Sequence, residues 1–155
     1  MPTGKPAGFT YLGMLALLSV LLMFSTAATQ WSHQQTRRNQ EAELLFVGHQ
    51  YRTAIWNFRM SMGRWPSGLQ EMLNAAPGSD QPRRFLRRIY IDPITGKSQW
   101  GLIQAQTGGI QGVYSLSPLT PIKQTQFQLE DESFAGARKY SDWKFLATTA
   151  AVTAN

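Results

Sequence analysis

The fold of this chain is decided by residues 9–28, FTYLGMLALLSVLLMFSTAA, which contain no charged side chain. Twenty residues in a helix extend about 30 Å, which matches the thickness of the hydrocarbon core of a bilayer. The apolar side chains fall on every side of such a helix, and a chain of 155 residues offers no core large enough to bury it. We therefore predict a transmembrane helix at 9–31, with Trp31 at the membrane interface.

A cleaved secretory signal peptide is the alternative to this transmembrane helix. The apolar part of a signal peptide usually has about 7–15 residues, which is shorter than the run found here. Small residues near Ser25–Ala27 would nevertheless allow cleavage, and the mature protein would then be a soluble domain. The basic residues do not fix the orientation of the segment, because Lys5 precedes it while Arg37 and Arg38 follow it.

The helix is predicted to continue beyond the apolar segment, because residues 34–62 contain no proline. Apolar or small residues recur there at steps of four and three, which places them on one face of a helix. These residues are Leu44, Gly48, Tyr51, Ile55, Phe58 and Met62. The pattern favours one helix of about fifty residues that is apolar all round at first and amphipathic over 32–62. Two helices separated by a break near Thr29–Ser32 are the alternative.

The remaining sequence predicts a small globular domain at 63–146 and a flexible tail at 147–155. Gly63–Pro66 ends the long helix, and Ser67 with Gln70 has capping-box spacing for a short helix at 68–75. Three strands are predicted at 98–105, 110–116 and 140–146, with a turn at Asp92–Lys97 before the first and a turn at Thr107–Gly109 between the first two. Residues 76–82 are a predicted loop, and 83–90 fits either a helical turn or a strand.

The predicted fold class is α+β, with a long N-terminal helix, transmembrane and then amphipathic, packed on a small antiparallel β-sheet. A sheet of two or three strands is thin, so a helix has to cover one of its faces. We expect the amphipathic face of the long helix to supply that cover. The predicted helix-to-sheet core consists of Leu44, Tyr51, Ile55, Phe58, Trp100 and Tyr114.

The composition argues against several functional classes. The net charge is +6, but the basic residues form no single stripe and accompany no nucleic-acid-binding motif, so no nucleic-acid partner is expected. A basic face near anionic lipid is the simpler interpretation. Cysteine is absent, which excludes disulfides and thiolate nucleophiles. No HExxH, GxSxG or P-loop motif occurs, so we predict that the protein is not an enzyme and has no catalytic residue.

Few residues offer metal ligands or a charged contact site. His33 and His49 lie sixteen positions apart on the predicted helix, too far to share a metal ion. The basic run at 83–88 has two interpretations that remain open, a contact to an acidic face of a neighbouring subunit and a solvated turn. Its arginines are Arg83, Arg84, Arg87 and Arg88.

The N-terminal residues Gly8–Leu12, GFTYL, resemble the processing site of type IV pilins and type II secretion pseudopilins. The resemblance implies a leader peptide at 1–8, a prepilin peptidase cut between Gly8 and Phe9, and N-methylation of Phe9. It also implies a single-pass protein of the bacterial inner membrane with its C-terminal domain in the periplasm. The partners implied are the peptidase, other pilin-like subunits and an assembly platform protein. Packing of the membrane helix is expected from Leu12, Gly13, Leu15, Leu18 and Leu22.

A second stretch is similar to the globular region of major pseudopilins. It combines WPSGLQEML at 65–73 with FLRRIYIDPITG at 85–96, so the resemblance covers roughly 8–117. Gly13 departs from the pattern, because the family usually has glutamate at this position, where it meets the amino terminus of a neighbouring subunit. This departure favours a minor subunit, and it also motivates the alternative of a monomeric membrane-anchored binding or accessory module.

Calcium is the only cofactor that the resemblance raises, because major pseudopilins often hold this ion in a loop near the C terminus. The family's glycine-rich acidic loop is not recognisable here, and calcium requires six to eight oxygen ligands. A solvated acidic turn is therefore the preferred interpretation, and no metal site is assigned. The residues that could contribute ligands are Glu130, Asp131, Glu132 and Asp142.

Overall fold

The computed structural model describes residues 7–73 and 84–147, with side chains described at 11–20, 34–73 and 84–147. The fold is α+β, as predicted, with one long helix and a three-stranded antiparallel sheet. The chain divides into two compact units, Met1–Arg37 and Arg38–Asn155. The helix is α1, Ala7–Met62, and the strands are β1, Gly101–Gln104, β2, Ile110–Tyr114, and β3, Phe145–Leu146; short 3-10 helices lie at Leu69–Met72, Leu129–Phe134 and Tyr140–Asp142.

The helix α1 runs without a break through Thr29–Ser32, so the prediction of one long helix is confirmed. It ends where Gly63 adopts a left-handed backbone with φ of 70° and donates its N–H to the Arg59 carbonyl at 2.8 Å. Across the described residues, no helix combines the length and apolar character needed to cross a membrane. Of the predicted transmembrane segment, the side chains at 9–10 and 21–31 lie outside the described residues.

The core of the second unit lies between α1 and the sheet. The predicted helix face is buried, with Leu44, Tyr51 and Ile55 fully enclosed and Phe58 nearly so. Aromatic side chains fill the space opposite this face, and Phe134 stacks on Trp143 with 5.5 Å between the ring centroids. The other large buried residues include Val47, Met72, Trp100, Ile110, Val113, Tyr140 and Phe145.

The sheet is a β1–β2 hairpin extended by a very short third strand. The strand order is β1-β2-β3, and Val113 in the middle strand pairs with Leu102 on one side and Phe145 on the other. The predicted turn between the first two strands is confirmed, because Gly108 and Gly109 both have positive φ, at 85° and 82°. The pairing register shifts between Ile103 and Gln104, so Ile110 and Val113, three residues apart in β2, are both fully buried.

Two sequence predictions in this unit are wrong. Tyr114 is half-buried and lies outside the core cluster, because it is the neighbour of inward-facing Val113 and its ring packs over Gly101 on the other face of the sheet. Ser67 does not act as the predicted N-cap. Its N–H and hydroxyl both donate to the Glu71 carboxylate, at 2.7 and 2.8 Å, and the described part of this segment forms a 3-10 turn at Leu69–Met72 with Gly68 as its N-cap. Residues 74–75 of the predicted helix lie outside the described residues.

The third strand and the preceding connections also differ from the sequence prediction. Only Phe145–Leu146 pairs as a strand, because Tyr140–Asp142 forms a 3-10 turn capped by the Asp142 carboxylate. Residues 84–90 form neither a helix nor a strand. The predicted loop at 76–82 lies outside the described residues, as do most of the leader at 1–8 and the tail at 147–155.

Candidate functional site

The predicted processing site lies at the first turn of α1. The helix begins at Ala7, so Gly8 and Phe9 have helical backbone, while their side chains are outside the described residues. The same holds for the side chain of Leu22. What the structure describes of this segment is the surface that follows, from Tyr11 to Val20.

Every residue from Tyr11 to Val20 is exposed, including Leu12, Leu15 and Leu18 of the predicted packing set. Gly13 also faces open space, since a Cβ atom there would meet nothing within 4 Å. The polar hydroxyl of Ser19 is satisfied within the helix by donating to the Leu15 carbonyl at 2.8 Å. An exposed apolar surface of this extent is typical of a segment that packs against lipid or other chains.

The contact between α1 and the sheet depends on one glycine and one tyrosine. Gly48 lies directly under the Phe145 ring, since a Cβ on it would be 2.3 Å from a ring carbon. The Tyr51 hydroxyl accepts the Tyr90 N–H at 2.9 Å, and the Trp100 indole N–H donates to the Tyr90 carbonyl at 2.8 Å. Burial raises the pKa of Tyr51 to about 12, so this hydroxyl remains protonated across the physiological range.

A polar cluster of buried Arg52 and Asp131 with half-buried His49 and Glu130, here called the polar clasp, ties α1 to the 3-10 helix at 129–134. The Arg52 guanidinium donates to Asp131 Oδ1 at 2.9 Å and to Glu130 Oε2 at 3.0 Å. His49 Nε2 lies 2.9 Å from Asp131 Oδ2. Both Arg52 and Asp131 are nearly inaccessible, at 3% and 2% exposed. The clasp therefore joins segments about eighty residues apart in sequence through charges shielded from water.

The electrostatics of the polar clasp keep its central carboxylate ionised. Burial alone would raise the pKa of Asp131, but hydrogen bonds and positive charge from His49 and Arg52 hold that pKa below its ordinary value of 3.8. The second ring nitrogen of His49 faces the Arg52 guanidinium at 3.3 Å and Glu130 at 3.5 Å. The pairing of His49 with Asp131 therefore holds two segments together in the described structure. Both ring nitrogens of His49 face partners within the cluster, so neither is available there to act as a base toward a nucleophile.

The acidic residues considered for calcium are used in other ways. Arg52 occupies the position between Glu130 and Asp131 that a cation would take. Asp142 accepts the Lys139 N–H at 3.0 Å, while Glu132 is exposed. Within the described residues, no three acidic or histidine side chains are grouped so that they could hold a metal ion. The predicted solvated acidic turn is wrong for Asp131, which is buried.

A second buried carboxylate, Glu41, fixes the loop at 118–128 to the start of the globular unit. It is 2% exposed and accepts a hydrogen bond from the Tyr140 hydroxyl at 2.8 Å. It also accepts the backbone N–H groups of Ile122 and Lys123, the latter at 3.2 Å. These donors replace the water that a carboxylate loses on burial, which is why it is tolerated here.

The predicted turn at Asp92–Lys97 is confirmed and is anchored by a third buried carboxylate. Asp92 is fully buried, and its side chain accepts the Ile94 N–H at 2.9 Å and the Ser115 hydroxyl at 2.7 Å. The Gly96 N–H donates to the Asp92 carbonyl at 2.8 Å, with φ of 69° at this glycine. The turn is thereby attached to the residue that follows β2.

The basic run is exposed in its described part. Arg84 and Arg87 make no ion pair among the described residues, and the Arg88 guanidinium lies over the Tyr90 ring at 5.2 Å. Arg83 lies outside the described residues. The arrangement is that of a solvated turn with one arginine over an aromatic ring, and it leaves the guanidinium groups accessible to a partner.

Sequence reasoning missed Glu41, Arg52 and Ser115 as structural residues. Glu41 and Arg52 lie on the predicted helix at 32–62 but outside its predicted apolar face, Ser115 lies in the predicted strand at 110–116, and each is buried by a partner distant in sequence. The only local signal was at Arg52, which lies one position after Tyr51 on the edge of the predicted apolar face.

Comparison with protein-family models, curated proteins and solved structures gives no match to this chain. The resemblance to pilin-like proteins therefore remains a prediction from the sequence motifs.

Proposed function

We propose that this protein is a pilin-like structural subunit of a type II secretion or type IV pilus-like filament, and that it occupies a minor position there. In this proposal the first helical segment anchors the chain in the bacterial inner membrane, and the domain that follows lies in the periplasm. Its activity is mechanical, because subunits associate through their apolar helices. Prepilin peptidase, other pilin-like subunits and an assembly platform protein are its proposed partners.

The observation that carries the proposal is the exposed apolar surface at Tyr11–Val20, which directly follows the Gly8–Phe9 motif. Such a surface requires lipid or other helices around it. The second half of the same helix, from Leu44 to Phe58, is buried against the sheet. One helix that exposes apolar residues first and buries them later suits a subunit that both anchors and assembles.

The deciding experiment is to determine the N-terminal sequence and mass of the mature protein, purified from membranes of a host that has prepilin peptidase. We expect a chain that starts at Phe9 with a methylated amino group. A Gly8→Asp variant, which removes the small residue before the cut, is the matched control and should retain the leader. A mature chain that starts at Met1, or one that starts near Thr29 in the soluble fraction, would contradict the proposal.

Gly13 favours one alternative, a monomeric membrane-anchored binding or accessory module. A carboxylate at this position would make a charge contact between neighbouring subunits, and glycine cannot supply it. Glycine also permits close packing of helices in a membrane, which points the other way. Cross-linking through single cysteines introduced at exposed positions of Tyr11–Val20 separates the two, because only a filament subunit gives products larger than a monomer.

A further inference from the structure

A groove of about 360 Å³ lies between the first turns of the globular unit and the loop at 122–126. Its lining includes Arg38, Ala42 and Leu45 from α1 and Lys123 from the loop. A volume of this size is within the range of small-ligand sites, about 300–1,000 Å³. The groove therefore combines positive charge with an apolar wall.

Two further basic residues lie on a segment that contacts the loop of this groove. The Gln124 side-chain amide donates to the Ala137 carbonyl at 3.2 Å, so the segment at 136–140 runs beside the loop. The next two residues, Arg138 and Lys139, are both exposed. We call Arg38, Lys123, Arg138 and Lys139 the basic rim. None of the four forms an ion pair with an acidic side chain among the described residues.

The acidic residue that lines the groove does not cancel this charge at the surface. Glu41 lies at its base and is buried, and its carboxylate is occupied by the Tyr140 hydroxyl and the N–H groups of Ile122 and Lys123. Arg38, Arg138 and Lys139 are exposed, whereas Lys123 is half-buried with its Nζ 5.0 Å from the centroid of the Phe127 ring, and the buried acid holds the loop in place. An anion at the mouth of the groove would meet guanidinium and ammonium groups first.

The loop itself is held in an unusual conformation. Gln126, at the end of the groove, has φ of 60°, and in the described structure it is the one residue other than glycine with a positive φ. Such a conformation is uncommon for a residue with a side chain and persists where surrounding contacts impose it, often at binding sites. The residues just before it are held by Glu41, which accepts the Ile122 and Lys123 N–H groups, and by the Gln124 side chain, which donates to the Pro121 and Ala137 carbonyls.

We propose that this groove and its basic rim bind the headgroup phosphate of an anionic phospholipid, and so dock the globular unit onto the membrane that holds its helix. The inference rests on the proposed membrane anchor, because Arg38 follows the apolar run by only ten residues and lipid headgroups would be abundant there. The phosphate pairs with Arg38 and Lys123, and the exposed Ile122 side chain contacts the apolar part of the lipid beside them.

A phospholipid fits these observations better than an acidic protein does. An acidic protein surface would require cations alone, whereas this groove also has an apolar wall at Ala42 and Leu45, with Leu119 exposed near the rim. Each basic residue near an anionic membrane contributes about five-fold to binding, and that contribution decreases within a Debye length as salt is added.

The test uses the full chain in nanodiscs of phosphatidylcholine, with and without phosphatidylglycerol, that contain a headgroup spin label. The protein has no cysteine, so a single fluorophore can be placed at Thr120→Cys next to the rim or at Thr53→Cys on the exposed face of α1 as a control position. We expect quenching at position 120 that rises with phosphatidylglycerol and falls with salt, and no such change at position 53.

Charge reversal identifies the residues responsible. In the double variant Arg38→Glu and Lys123→Glu, the ratio of quenched to unquenched protein should fall at least ten-fold, because each basic residue contributes roughly five-fold. Changing both residues to glutamine should lower this ratio less. The matched control is Arg84→Glu with Arg87→Glu, which makes the same charge change elsewhere and should leave quenching unchanged. Fluorescence of the buried Trp100 and Trp143 shows that each variant is folded.

Three results would overturn the inference, and they are distinguishable. If quenching does not change with phosphatidylglycerol while the chain still co-purifies with the nanodisc, the proposed lipid site is refuted and the membrane anchor is not. If the basic rim binds soluble polyglutamate and quenching does not depend on phosphatidylglycerol, its partner is an acidic protein and not a lipid. A chain absent from the nanodisc removes the anchor of the proposed function, and this inference with it.

Discussion

Replacing Gly48 by alanine should destabilise the domain, although alanine is the better helix former. In an exposed helix interior, glycine to alanine stabilises by about 1 kcal/mol. Here the new Cβ would lie 2.3 Å from the Phe145 ring, whereas ordinary contact begins at 3.4 Å, so the ring must move by about 1 Å. Phe145 is fully buried and packs edge-on against Phe134, with 5.1 Å between centroids, so it has no free space to enter.

The size of the effect follows from these two opposing contributions. Overpacking a filled core costs about 1–3 kcal/mol, and a rigid ring without room to shift belongs at the upper end. After the gain in helix propensity is subtracted, we expect Gly48→Ala to lower the free energy of unfolding by about 2 kcal/mol. Thr53→Ala, an exposed site on the same helix, should instead raise it by a few tenths of a kcal/mol.

A double-mutant cycle with Phe145→Leu tests the cause. Urea unfolding of the full chain in detergent micelles, followed by the fluorescence of buried Trp100 and Trp143, supplies the free energies. The smaller leucine leaves room for the added methyl group, so Gly48→Ala should be nearly neutral in that background, with a coupling energy of about 2 kcal/mol. The reasoning fails if Gly48→Ala stabilises the protein beside the intact Phe145 ring, or if the two changes are additive.

Three further predictions concern the buried and paired carboxylates. Asp131→Asn should lower the free energy of unfolding by about 3 kcal/mol at neutral pH. The folded-state pKa of Asp131 lies below its ordinary value of 3.8, so protonation removes the contribution of the carboxylate as the pH falls below 3.8. The free energies of unfolding of wild type and variant, measured in acid-unfolding curves, should therefore converge there. A difference that stays constant with pH would contradict the assignment. Glu41→Ala should lower the free energy of unfolding in urea by about 3 kcal/mol, because it removes the acceptor of one hydroxyl and two N–H groups. Tyr140→Phe removes one of these donors and should lower the same free energy by about 1 kcal/mol. Equal losses would show that the hydroxyl alone matters. The hydrogen bond from Arg64 lowers the pKa of Glu71 to about 2. Arg64→Met should therefore raise the pKa of Glu71 in an NMR titration. An unchanged pKa would assign the shift to the hydrogen bonds from Ser67.

Local patterns predicted the parts of this fold that local chemistry determines. The absence of proline and the repeat of apolar residues fixed α1, and Gly63 with Pro66 fixed its end. The two turns were predictable because glycine and aspartate act there within a few residues of each other, as at Asp92–Gly96. These elements need no knowledge of distant contacts.

The errors fall where distant contacts decide the outcome. Tyr114 was assigned to the core because its type and position suit a buried strand, but the face it occupies depends on how β2 pairs with β1. Ser67 is the exception, because the acceptor that competes with its capping role, Glu71, lies only four residues away and receives both of its hydrogen bonds. The polar clasp joins residues about eighty positions apart, and no periodicity within α1 or the loop at 129–134 indicates it.

The net charge of +6 acquires a different meaning once these contacts are known. Of the eight acidic side chains in the described structure, six accept hydrogen bonds within the fold, namely Glu41, Glu71, Asp92, Glu130, Asp131 and Asp142. The other two are Glu43 and Glu132, whereas only Arg52 and Arg64 among the described lysines and arginines pair with an acid. Three of these carboxylates, Glu41, Asp92 and Asp131, are buried, whereas Arg52 is the one buried cation among the described lysines and arginines. A composition average hides this division, and it is the division, more than the total, that makes the surface suited to anionic partners.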